Sequence, residues 1–172
     1  MGDNRWRDEQ EWPLARARGT ALHLAIQKGQ WDVFKLLLDK GAEPDALDLR
    51  GITPALKTCS SKLGEVTRSS AQPHAPADYL RELLARGADP NGRKGQWMET
   101  LRAAVLVEDV ELVECLLKAG AKPQIVGPNG MPLLFAALDR RNAIPLTRLL
   151  LQYGVDPDVH SKIFTSATAA GL

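Results

Sequence analysis

Apolar and polar residues follow one another along this chain with the period of a helix, and one arrangement of them occurs four times. Leu37-Leu38, Leu83-Leu84, Leu116-Leu117 and Leu150-Leu151 are each followed by a glycine three residues on, and then by a proline three residues after that. Eight residues before each glycine stands a further apolar residue: Val33, Tyr79, Leu112 and Leu146. With the Leu-Leu pair this makes the spacing i, i+4, i+5, which places all three on one face of a helix. The glycine supplies the left-handed backbone that ends the helix, and the proline forbids its resumption. The charges give the same direction. Asp32, Asp78 and Glu111 lie near the starts and Lys40, Arg86 and Lys118 in the last turns, as the helix dipole favours.

The pattern is a repeat. Gly41, Gly87, Gly120 and Gly154 lie 46, 33 and 34 residues apart. Twelve residues after each glycine a second, shorter helix is expected to begin, at Thr53, Glu99, Pro132 and Ser166, and Thr20 begins the first. One unit is thus a short helix, a tight turn, a longer helix and an extended crossing loop. The second unit is longer than the third by a segment placed near Leu63–Ala75. Its Ser69-Ser70-Ala71-Gln72-Pro73-His74 stretch reads as an exposed loop.

The first unit carries specific residues: Thr20-Ala21-Leu22-His23-Leu24-Ala25, then Gly29 and Gly41-Ala42. This resembles the ankyrin repeat, whose signature is T-P-L-H-x-A at a period near 33. Gly51-Ile52-Thr53-Pro54 opens a second such unit. Thr100-Leu101-Arg102-Ala103-Ala104 and Gly130-Met131-Pro132-Leu133-Leu134-Phe135-Ala136-Ala137 fit a third and a fourth less closely. The histidine of the signature stands only at His23, with Leu56, Arg102 and Phe135 in its place later. The resemblance implies an all-α solenoid with units at about 19–47, 48–93, 94–126 and 127–158. Residues 1–18 are expected to form an N-terminal cap or extension, and 159–172 an incomplete fifth unit or a C-terminal cap.

Composition narrows the function classes. The 172 residues include 22 basic and 21 acidic ones, for a net charge of +1. Nucleic acid and anionic lipid both call for a clustered basic excess, so neither is an expected partner. The N-terminal stretch has charges but no apolar core of a secretory signal, and Trp6 stands where a myristoylation signal has Ser or Thr. The longest apolar run, Met131–Leu138, is far too short to span a bilayer. An intracellular protein is expected, with cytoplasm and nucleus not distinguished.

Catalytic, metal-binding and cofactor-binding arrangements are not expected. The glycines are spaced as helix terminators and form no phosphate loop, and there is no G-x-S-x-G elbow or H-E-x-x-H pair. Cys59 and Cys115 lack the spacing of a zinc site, and Cys115 reads as a small apolar filler. Glu108, Asp109, Glu111 and Glu114 gather at a helix start, where they offset the dipole.

What remains is surface. In ankyrin-like stacks the loop tips and the exposed positions of each first helix line one concave side that holds other proteins. By register, the resemblance assigns Leu49, Arg50, Ile52, Trp97, Met98, Asn129 and Met131 to the tips, and Leu106, Val107, Asp139 and Arg140 to the first helices. Trp97 either anchors a partner or packs between units. The expected function is a non-catalytic protein-binding module, monomeric, with a protein partner. The alternative is the targeting or regulatory portion of a larger protein whose chemistry lies elsewhere.

Overall fold

The structure, a computed structural model, describes residues 19–59, 74–92, 99–127 and 130–160. Among these residues the chain forms α-helices and no strand. They are α1 (Ala21–Lys28), α2 (Trp31–Asp39), α3 (Pro54–Thr58), α4 (Pro76–Ala85), α5 (Thr100–Leu106), α6 (Val110–Lys118), α7 (Leu133–Leu138) and α8 (Ala143–Gln152). Short and long helices alternate, as the repeat predicts. Each long helix stops where the pattern requires: Gly41, Gly87, Gly120 and Gly154 have φ of 85°, 89°, 91° and 84°. Starts are specified too. Pro54 opens α3 behind Thr53, whose hydroxyl accepts the Leu56 N–H at 3.2 Å, and Asp109 caps α6 by accepting from the Glu111 and Leu112 amides.

The short helices α1, α3, α5 and α7 stack in one row, and α4, α6 and α8 stack in a second. α2 continues the second row through rings: Trp31 and Phe34 both lie 5.0 Å from Tyr79 of α4, edge to face. The core runs continuously through the stack, with Leu22, Ile26, Leu56, Leu80, Leu101, Leu112, Leu116 and Leu133 buried. Tyr79, Leu112 and Leu146, the apolar residues eight before the glycines, are fully buried, and so are Leu83, Leu116 and Leu150. Val33 departs from this. It is exposed and Leu37 is only half-buried, while Phe34 and Leu38 turn inward. The register of α2 is unchanged. Its Val33–Leu37 face points toward a preceding unit, and no such unit lies among the described residues.

Polar rungs tie successive units. Arg86, at the C-terminal end of α4, pairs with Asp39 of α2 at 2.6 Å, and Arg81 of α4 pairs with Glu111 of α6. Asp45 accepts the Asp89 N–H at 2.9 Å, and one unit later Asn91 accepts the Lys122 N–H at 2.8 Å. The turn from short to long helix uses a left-handed residue, Gly29 at φ 63° in the first unit and Glu108 at φ 61° in the third. His74 and Ala75, at the end of the segment assigned to the insertion, belong to the start of α4. His74 stacks on Trp31 at 4.3 Å, and the Ala75 N–H donates to Asp78 at 2.9 Å. The rest of the insertion, residues 63–73, lies outside the described residues, as do 1–18 and 161–172.

Leu116 sits at the centre of this stack with no exposed surface. Leu116→Ala should cost about 2–5 kcal/mol, the usual loss for emptying a buried leucine site. Chemical denaturation checks it: the midpoint should fall with an unchanged slope, and an unchanged midpoint would contradict the packing.

Candidate functional site

Among the described residues two loops between units form hairpin tips, each pinned to the short helix before it. In the first, the Asp48 N–H donates to the Ile52 carbonyl at 2.9 Å, and Gly51 closes the turn at φ 73°. The Asp48 carboxylate accepts the Arg50 N–H at 2.7 Å and the Ile52 N–H at 2.9 Å. Burial works to raise the Asp48 carboxyl, but these two amides and the Arg50 charge outweigh it and hold it below the ordinary carboxylate range. His23 of α1 then fastens the hairpin. Its Nε2 lies 2.9 Å from the Ile52 carbonyl and must donate there, so Nδ1 accepts from the Thr20 hydroxyl at 2.9 Å. Desolvation depresses the His23 pKa, opposed by the Ile52 carbonyl and by Asp48 and reinforced by Lys57 and Arg50.

The hairpin between the third and fourth units is fastened differently. Its frame is the same: the Gly127 N–H donates to the Met131 carbonyl at 2.9 Å, and Val126 bridges Pro132. Arg102 of α5 occupies the place of His23 and reaches the Met131 carbonyl at 3.4 Å. The guanidinium is longer than an imidazole and fills the space that the Asp48 side chain takes in the first hairpin. Gly127 stands where Asp48 stands, and a Cβ there would collide with the Arg102 guanidinium. The larger latch and the missing side chain belong together.

The residues that the sequence assigned to a binding surface separate on this frame. Arg50 is exposed at a tip, held against Asp48 at 3.4 Å, and Asp139 is exposed beyond α7. Arg140 is half-buried, with Nε on the Ala136 carbonyl at 3.3 Å. Leu106 and Val107 are half-buried against the core, and Met131 is half-buried with its carbonyl engaged. Ile52 is a correction: it is 9% exposed and belongs to the core, because both its backbone groups point into the latch. Trp97, Met98 and Asn129 lie outside the described residues. Sequence reasoning passed over Leu47 and Val126, which are both exposed and both seven residues before a short helix begins. That shared offset was the available signal. Leu49, at the first tip, is 85% exposed.

Comparison with known proteins agrees with this geometry. The family model described as "Ankyrin repeat" matches residues 19–49, the stretch containing His23. An ankyrin repeat-containing protein of Treponema pallidum (strain Nichols) is 29% identical over 83% of this chain and 43% of its own length. This chain is an ankyrin-repeat protein. An ankyrin repeat protein of Acanthamoeba polyphaga mimivirus is 30% identical over 78% of the chain and 22% of its own length. The human B-cell lymphoma 3 protein is 35% identical over 60% of the chain and 21% of its own length. The chain therefore spans less than half the length of these relatives. Ankyrin repeats in general are protein-interaction modules and not enzymes.

Both cysteines of the stack are held toward the thiol form. Cys59 is buried at the end of α3, and burial pushes its thiol up to about 12, so no thiolate forms near neutral pH. Cys115 is raised as well, again by burial first. Among the described residues no three His, Cys, Asp or Glu side chains converge as metal ligands, and no helix is long and apolar enough to cross a membrane.

Two outcomes follow from the latches. Because the folded chain holds His23 below its ordinary 6.5, it favours the neutral ring. The stability this confers is complete above that value and is lost as pH falls below it toward the folded value. Thermal melts taken downward from pH 7 should show this loss, and His23→Gln should flatten it. Gly127→Ala should cost about 0.5–1.5 kcal/mol, the worth of the displaced hydrogen bond. In an Arg102→Ala background the same change should cost almost nothing, a coupling read by a double-mutant cycle.

Proposed function

We propose that this ankyrin-repeat chain binds a protein partner, without catalysis, through its hairpin tips and the adjoining ends of its short helices. The observation that carries the reading is Leu49: a large apolar side chain almost wholly in solvent, on a turn that the His23–Ile52 and Asp48 hydrogen bonds hold fixed. Leu47 adds a second exposed apolar side chain to the same hairpin, where Arg50 supplies a neighbouring charge, and Val126 is exposed at the register of Leu47 in a later hairpin. Apolar side chains on a preorganised frame lose little freedom on binding, and exposed apolar patches mark recognition sites. Trp97 and Met98 remain assigned to the same row by sequence register.

A second reading is that the chain is the targeting portion of a larger protein. Its support is the length of the relatives, of which the chain spans 43%, 22% and 21%. Both readings use the same surface. Capture from an extract of the source cells tests it, with the intact chain compared against Leu49→Asp. Because Leu49 is exposed, the variant should melt with the parent. The expected result is a specific protein retained by the parent and weakened by about 2 kcal/mol or more in the variant, the size of an anchor's contribution. Equal retention by both chains would remove the tips from the interface.

A further inference from the structure

Counted from the glycine that ends each long helix, several core positions recur from unit to unit, and these open to solvent at the two ends of the stack. Seven residues before the glycine, Phe34, Leu80 and Val113 are fully buried. In α8 the equivalent is Thr147. It lies in an open groove of about 630 Å³ with Ile144, Arg148 and Leu151, and Ile144 is 76% exposed. The short helices tell the same story: Ile26, Cys59 and Val105 are buried, whereas Leu138, at their place in α7, lines the groove. At the other end, α2 exposes Val33 and Leu36 and leaves Leu37 half-buried, where the later units bury Tyr79 with Leu83 and Leu112 with Leu116.

The charges at these two faces match as those inside the stack do. Arg81, six residues before its glycine, pairs with Glu111, nine residues before the next. Lys35 and Asp78 hold these two positions with the same signs at the preceding junction. Arg148 holds the basic position in the last described unit, and Asp32 holds the acidic position in the first. Asp158 occupies the place from which Asp45 and Asn91 accept their rung hydrogen bonds.

We propose that the groove between α7 and α8 receives the α2 face of a second copy of this chain, so that the stack continues head to tail across molecules. Val33, Leu36 and Leu37 of one copy cover Ile144, Thr147 and Leu151 of the other, and Asp32 meets Arg148. The contact is heterologous, with a different face from each copy, so it leaves one open face of each kind and can repeat. The monomer expected from the sequence is then the dilute state. This inference is independent of the hairpin tips, which it leaves free.

The test uses the full chain in sedimentation velocity from micromolar to sub-millimolar concentration. The parent should show concentration-dependent association. Ile144→Glu and Val33→Glu, both at exposed positions, should melt with the parent and stay monomeric alone. Mixed, they should form a one-to-one complex and nothing larger, because each retains the face the other has lost. Arg148→Asp should weaken association at least about tenfold, and adding a chain with Asp32→Arg should restore it, as for a close interfacial charge pair. A parent that stays monomeric throughout the range overturns the proposal. So does association that survives Ile144→Glu, or a mixture of the two glutamate variants that does not pair.

Discussion

A helix pair of this size has an apolar face on each side and no way to fold over either, so each unit is stable only as the neighbour of another. That nearest-neighbour dependence governs the whole stack. It explains why the spacing of the Leu-Leu pair from its glycine is the same in every unit, since a drift in register would turn Leu83, Leu116 or Leu150 away from the junction it fills. It also explains why the same sequence position is core in Tyr79 and Leu112 but surface in Val33. Burial here belongs to the junction and not to the residue type. The extra chain of the second unit is tolerated because it enters between helices, and α4 resumes the register at Pro76 beside the Trp31–His74 stack.

The junctions also carry the hairpins, and two different side chains serve one purpose there. His23 and Arg102 each reach 29 residues forward to a carbonyl two residues before the next short helix. The imidazole is short and leaves space that Asp48 fills while organising the turn with its carboxylate. The guanidinium needs that space, and glycine yields it. A neutral ring is a donor whose partner geometry depends on its tautomer, whereas a guanidinium donates at every accessible pH. The two ends of the stack therefore respond differently to acid while holding their tips in the same way.

The helices and their order were legible in the sequence because their signals are local: a Leu-Leu pair, a glycine and a proline at fixed offsets. The surface was much less so. Ile52 sits beside an exposed tip in sequence, yet its amide and carbonyl draw it into the core, and nothing local distinguishes it from Leu49. Leu106 and Val107 pack against the core from the end of α5, which their spacing alone does not reveal. The Arg102–Gly127 exchange was visible only as a departure from T-P-L-H. Its meaning depends on a contact 25 residues away.

Cys59 gives the stack an internal clock. Its sulfur lies buried where α3 ends, in contact with the Thr58 hydroxyl at 3.7 Å, and its proton is held far more tightly than in water. An alkylating reagent reacts with the thiolate, so labelling must wait for the second unit to part from its neighbours and expose the sulfur. Cys115, half-buried on α6, samples the next junction from a shallower position. The two thiols thus timestamp separate openings within one molecule, and the interval between their labelling rates measures how far the units breathe one at a time.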